Sequence, residues 1–256
     1  MDIIIGGLPL WAFAMACVVT LFAGFVKGAV GFAMPLIMIA VLPSFMPAHM
    51  ALAALILPVL TTNLHQSLRQ GLGAAAQSGL RFWRIIVMTM VGILITAPFV
   101  VVLPQQAMFL LLGVAVLFFA GLQLSGWSPD IPPRWKGPIE LGAGLIGGLY
   151  GGISGIWGPP SIVYLLAAKV EKTEMIRVMS VIFTMGAVVL TVAHIRSGVL
   201  NAQTAVLSAA MLVPAGLGMA MGYRVQDRLD PVRFKRWMLI LLALSALNLL
   251  RRGLLG

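Results

Sequence analysis

Two twelve-residue segments hold the residues best placed to do chemistry: GFVKGAVGFAMP at 24–35 and GLYGGISGIWGP at 148–159. Each runs from glycine through a break to a proline and then resumes an apolar run. A broken helix leaves amide N–H groups without intrahelical partners, and at a helix N-terminus they carry partial positive charge that attracts anions. Glycine lets a ligand approach such backbone closely. Proline in the first helical turn gives up a donor that has no intrahelical partner anyway. The chemistry indicated is recognition of a small anion by the backbone around Gly31 and Pro35, and around Gly155, Gly158 and Pro159. Gly24, Gly28, Gly148 and Gly152 have the Gly-x-x-x-Gly spacing that suits close packing of apolar helices.

Side chains near these segments add to the same chemistry. Lys27 is the one ionisable group in the first segment; it is either a functional charge inside the membrane or an anchor that snorkels to the inner surface. Thr61, Thr62, Asn63 and Ser154 offer hydrogen bonds to an oxyanion or, equally, to neighbouring helices. Trp157 and Tyr150 flank the second break, as pocket lining or as interfacial aromatics. His65 and His194 are candidates for proton coupling because histidine titrates near neutral pH, although both close apolar segments and also suit an interface. No acid lies well inside an apolar segment, Glu140 sitting at the start of one, which argues against a cation or metal carrier. There is no His-Glu-x-x-His, cysteine pair, Walker loop or Gly-x-Ser-x-Gly, so no metal, cofactor, ATP or nucleophile chemistry is expected.

The elements that must position these residues follow from composition. Of 256 residues 61% are hydrophobic and 9% charged, far below the roughly one quarter charged in soluble domains. Disorder is excluded by the same numbers. Apolar segments run at about 8–26, 29–42, 46–65, 84–103, 107–125, 138–156, 159–168, 175–195, 202–223 and 236–250. Each is read as helix, since open strands leave backbone groups unsatisfied in lipid. Segments 29–42 and 159–168 are too short to span, as a crossing takes roughly 20 residues. The expected class is an all-α polytopic membrane protein of eight to ten membrane segments. Cys17 stands alone, so no internal disulfide forms. Asp2 and the lack of a basic residue before Lys27 make the first segment read as a retained span.

The net charge of +10 reads as topology, with no expectation of nucleic-acid binding. With the loop 66–83 placed in the cytoplasm, fourteen of seventeen basic residues fall on the inner side, and only Arg196, Arg251 and Arg252 fall outside. Both termini are then external. Each half of the chain reads as a short broken hairpin followed by three spans, and the odd number of reversals orients the halves oppositely. The halves also match directly: Gly24, Gly28, Gly31 and Pro35 superpose on Gly148, Gly152, Gly155 and Pro159 at a constant offset of 124. The expected organisation is one integral membrane domain of two inverted repeats, 1–130 and 131–256, joined across the proline-rich connection 126–137. Inverted repeats with broken helices are the signature of secondary transporters, whose substrate sits near the bilayer midplane.

At these residues the chain resembles the TauE/SafE, or sulfite exporter, family of membrane transporters. The resemblance rests on the paired glycine-rich segments in two halves of a chain of this length, together with the basic loops. It implies export or uptake of sulfite, sulfonates or related small anions across the bacterial inner membrane. On that reading Lys27 supplies charge, Thr62, Asn63 and Ser154 supply donors, and Gly31, Pro35, Gly155, Trp157, Gly158 and Pro159 form the substrate site. The expected partners are the anion and the lipid bilayer, with proton or ion coupling and homo-oligomeric assembly left open. The other classes considered are an anion channel or accessory membrane subunit, a carrier of neutral or cationic solutes, and an intramembrane enzyme.

Overall fold

The computed structural model describes residues 4–68, 71–126, 130–225 and 231–255. Arg69 and Arg228, counted in the charge balance, lie outside the described residues, as do Asp2 and residues 127–129 of the connection between halves. A two-residue ladder pairs Ile4–Ile5 with Leu8–Pro9; the remaining architecture is helical. In chain order the helices are α1 (Leu10–Val30), α2 (Met34–Val41), α3 (Ala48–Leu68), α4 (Leu72–Arg81), α5 (Trp83–Thr96) and α6 (Gln105–Ser125). They continue with α7 (Lys136–Ser154), α8 (Gly158–Ala167), α9 (Lys172–Arg196), α10 (Ala202–Ala210), α11 (Leu212–Val225) and α12 (Pro231–Leu255). Among the described residues six stretches are long and apolar enough to cross a membrane, while Met34–Ser44 and Gly158–Ala167 are apolar but short. The chain is an all-helical, multi-pass membrane protein.

Three details differ from the sequence reading, each for a local reason. The first break falls later than expected: residues 29–30 finish α1, and the short arm begins at Met34. The loop 66–83 contains helix α4, which puts Leu72, Ala75, Ala76, Gly79 and Leu80 at helical spacing. The span 202–223 is bent between α10 and α11, because Pro214 has no N–H to give to the carbonyl four residues back at Ala210. A similar fault arises at Pro58 within α3. There the neighbouring Leu57 amide donates to Ser208 Oγ at 3.1 Å, the kind of side-chain rescue that makes proline tolerable in a membrane helix.

The chain divides into two compact units, and each draws on both halves of the sequence. The first comprises Met1–Val59, Val101–Gly126 and Gly198–Gly256. Its main contacts pair α1 with α11 and α6 with α12. The α1–α11 contact is backbone against backbone. A methyl group placed on Gly24 or Gly28 would overlap the carbonyls of Ala215 and Met219, and one on Gly218 or Gly222 would overlap those of Leu21 and Phe25. Thr20 of α1 donates to the sulfur of Met211, the residue between α10 and α11, at 3.3 Å.

The second unit comprises Leu60–Val100 and Trp127–Ser197, with α5 against α7 as its main contact. Glycine makes this contact too. Gly144 and Gly148 face the carbonyls of Ile85 and Thr89, and a methyl on Gly152 would lie 2.7 Å from the Ile93 carbonyl oxygen. In return, Gly92 faces the backbone of Gly148 and Leu149. The packing role read for Gly24, Gly28, Gly148 and Gly152 is therefore correct. Without side chains between them, helix backbones approach closely enough for Cα–H···O contacts and dispersion to hold the pair in lipid.

Glu140 fixes the far end of this unit. Its Oε1 accepts the Ile85 amide at 3.4 Å, its Oε2 accepts from the Tyr164 hydroxyl at 3.4 Å, and Arg84 lies 4.0 Å away. Ile85 is the third residue of α5, so a carboxylate on α7 covers the positive end of a neighbouring helix. Outside the spans, Lys169 bonds Asp130 at 2.8 Å. That hydrogen bond and charge hold the Asp130 carboxyl below its ordinary range and Lys169 above its own.

Adjacent glycines of α11 test the contact. Gly218 presses on the α1 backbone, whereas nothing lies within 4 Å of a methyl at Gly216. Gly218→Ala is expected to cost about 1–3 kcal/mol through overpacking, and Gly216→Ala to stabilise by up to about 1 kcal/mol through helix propensity. Thermal unfolding of the two variants in one detergent reads the opposite signs.

Candidate functional site

The two breaks share a local design. In the first, α1 ends on Gly31 in the left-handed conformation (φ 88°), whose N–H donates to the Lys27 carbonyl at 2.7 Å. In the second, α7 ends on Gly155 (φ 72°), whose N–H donates to the Gly151 carbonyl at 2.7 Å. Glycine is required at both because a side chain in this conformation is strained. The chain then restarts as a short helix with proline in its first turn, α2 through Pro35 and α8 through Pro159 and Pro160.

The second break is a hairpin with a short returning arm. Gly151 packs on Trp157, Gly147 lies against Trp157 and Pro160, and Glu140 meets Tyr164. These pairs separate steadily in sequence, so α8 runs back along α7. Its ten residues cover about 15 Å at the helical rise, half of a hydrocarbon core of roughly 30 Å.

The side chains around this break are largely engaged by the protein. Ser154 Oγ donates to the Tyr150 carbonyl at 2.9 Å and accepts the Ile156 amide at 3.0 Å, so in this state it stitches the break together. Trp157 is 1% exposed; its indole N–H donates to the Ile182 carbonyl at 3.3 Å, and its ring meets Phe183 edge-on at 6.3 Å. A methyl on Gly158 would lie 2.7 Å from the Phe183 ring, and one on Gly186 2.5 Å from the indole. Asn63 is buried and donates to the Phe183 carbonyl at 3.2 Å. Phe183 thus brings Asn63, Trp157 and Gly158 together. An apolar residue inside an apolar helix gave the sequence reading no signal to select it.

Asn63 belongs to a polar seam between α3 and α9. Thr184 Oγ1 donates to the Asn63 carbonyl at 3.1 Å, and Ser67 Oγ lies 2.6 Å from Thr184 Oγ1 and donates to the Ser180 carbonyl at 2.9 Å. Here the helix-glue reading of Asn63 is realised. Thr62 is buried beside it, while Thr61 and His65 are exposed. The two histidines are therefore unlike: His194 is fully buried, its Nδ1 3.3 Å from Ser197 Oγ and its Nε2 without a partner. Ser161, in the first turns of α8, is likewise fully buried with no partner for its hydroxyl. It was not singled out in the sequence, although its position two residues after Pro159 was available as a signal.

The first break differs in three respects. Lys27 is 2% exposed and lies in the last turn of α1, so it does not reach the surface as a snorkelling anchor. Ala33, which precedes α2, holds φ 83°, a conformation that costs a non-glycine residue about 1–2 kcal/mol; such strain concentrates at functional sites. The supply of amides also differs. Only Pro35 among the first three residues of α2 lacks an N–H, leaving Met34 and Leu36, whereas Pro159 and Pro160 leave only Gly158 at the start of α8. Pro35 and Gly31 are half-buried, Pro159 likewise, and Gly155 and Gly158 are buried.

Lys27 thus lies one turn before the left-handed Gly31, and α2 starts three residues after that glycine with the Met34 and Leu36 amides in its first turn. The sequence model of the sulfite exporter TauE/SafE family matches residues 16–249. No curated protein and no solved structure matches the chain. The family match covers both broken hairpins and every span between them, and the chain belongs to the sulfite exporter TauE/SafE family of membrane transporters.

Proposed function

We propose that the protein is a secondary transporter of small anions, with sulfite, sulfonates or related organic anions as substrates, in the bacterial inner membrane. It works by alternating access and is not an enzyme. The anion is held at broken-helix ends near the midplane, and its negative charge is met at the first break. The observation that carries this reading is the burial of Lys27 one turn before the left-handed Gly31. Charge inside a membrane helix is costly and is retained where it serves a substrate or ion path. The Met34 and Leu36 amides add the partial positive charge of a helix N-terminus. The second break has fewer first-turn amides, and the side chains of Trp157 and Phe183 fill the space beside it. His194 is the candidate for proton coupling; His65, being exposed, is the weaker one. Duplication of the chain is supported by the exchange of partners: the glycines of α1 meet α11, and the equivalent glycines of α7 meet α5.

Counterflow in proteoliposomes tests the reading. The wild-type chain is expected to exchange labelled sulfite or a small sulfonate saturably, with carboxylates and sulfate as competitors defining the class. Lys27→Met should reduce the rate by about 10- to 100-fold, the worth of one hydrogen bond to a charged group, and Lys27→Arg should retain part of it. Wild-type rates in Lys27→Met, with the same elution profile, would remove the assignment. Conductance that never saturates would favour a channel. Proton coupling is checked in the same vesicles: an imposed pH gradient should drive accumulation in the wild type, and His194→Gln should abolish that drive while leaving counterflow intact.

A further inference from the structure

At one end of the α6–α12 pair, within the first unit, Gln105, Gln106, Phe109, Arg251, Arg252 and Leu255 line a cavity of about 500 Å³. Its charge is one-sided. Two adjacent guanidinium groups open onto it, none of its lining residues is acidic, and among the described residues neither arginine forms an ion pair. Both are held in place by the protein. Arg252 donates to the Pro43 carbonyl and stacks 4.6 Å above the Phe109 ring. Arg251 donates to Asn248 Oδ1 at 3.2 Å, and Asn248 in turn donates to Ser44 Oγ at 3.3 Å. A guanidinium has five donors in a planar fork, so one bond to the protein positions each group and leaves most of its capacity.

The opposite wall is the start of α6. Pro104 precedes it with no side-chain cap, and Gln105 and Gln106 are its first two residues. Their amides have no intrahelical acceptor, and their carboxamides add neutral donors. Topology does not explain the arginines, since the charge balance puts Arg251 and Arg252 among the three basic residues on the outer side. Two like charges side by side repel unless something negative lies between them.

We propose that this cavity is a binding site for a tetrahedral oxyanion group, a phosphate or sulfo group held by Arg251 and Arg252 in the forked geometry that suits such anions. A bare ion is much smaller than the cavity, which is open on one side and leaves room for the rest of a larger molecule. The ligand is therefore the oxyanion end of a larger molecule, either an anionic lipid headgroup or an organic anion from solution. The site is separate from the first break and does not rest on the transport reading.

Thermal unfolding of the full-length protein in an uncharged detergent decides the matter. The probes are sodium sulfate against sodium chloride at equal ionic strength, and phosphatidylglycerol against phosphatidylcholine in mixed micelles. At least one anionic probe is expected to stabilise the wild type saturably, and Arg251→Gln should raise its half-saturating concentration about tenfold, with Arg251→Lys in between. Gln105→Glu, which puts a carboxylate in the cavity, should abolish the effect and serves if Arg251→Gln does not fold. Stabilisation by sulfate assigns the site to a soluble oxyanion, and stabilisation by phosphatidylglycerol alone assigns it to a headgroup. No stabilisation by either probe, or equal stabilisation in wild type and both variants, overturns the proposal. Sulfite counterflow of the same variants separates this outcome from the transport reading, which predicts no loss at either position.

Discussion

The structure depends on helix backbones touching through glycine. In lipid there is no hydrophobic force between helices, so a pair holds together only by close packing and by the polar contacts that closeness allows. Gly24 and Gly28 against α11, and Gly144 and Gly148 against α5, provide that closeness. Each contact lies about one to three turns before a break. A helix locked so firmly along its length can end abruptly at Gly31 or Gly155 without its final turns drifting, and the short arm that follows is then held in a defined place. Glycine thus serves two physical purposes in one twelve-residue stretch: the early positions give up a side chain for packing, and the late position adopts a backbone conformation other residues resist.

The two breaks are built on one plan and equipped differently. Around Trp157 the backbone is stitched by Ser154, plugged by an indole and backed by Phe183. At the first break there are the buried Lys27, Ala33 at positive φ, and the Met34 and Leu36 amides in the first turn of α2. The first break carries the one ionisable side chain and the second the apolar filling, so the two are not chemically interchangeable.

Much of this was legible in the sequence, for identifiable reasons. Glycine spacing reports helix contact directly, and glycine followed by proline reports a break, so the hairpins and the packing faces could be read from Gly24 to Pro35 and from Gly148 to Pro159. What was not legible depends on which way a helix faces. Lys27 reads the same as a snorkelling anchor or a buried charge until the neighbouring helix is known. Asn63 reads as a donor to an oxyanion until α9 is seen to take it through Phe183 and Thr184. Gly218 and Gly222 meet α1 from a span whose glycines and Pro214 do not by themselves say which helix they face. The helix α4 was hidden because a basic loop and a short amphipathic helix share a composition and differ only in spacing.

The central claim is that the buried cation and amides of the first break meet the substrate's charge. Selenite, the heavier analogue of sulfite, makes that visible in an anomalous or high-resolution density map of the protein prepared with it. The account predicts a peak within hydrogen-bond distance of the Lys27 ammonium and of the Met34 or Leu36 amide, with α1 and α2 still broken at Gly31–Ala33. A selenite peak away from that break, or α1 and α2 joined as one continuous rod, would contradict it.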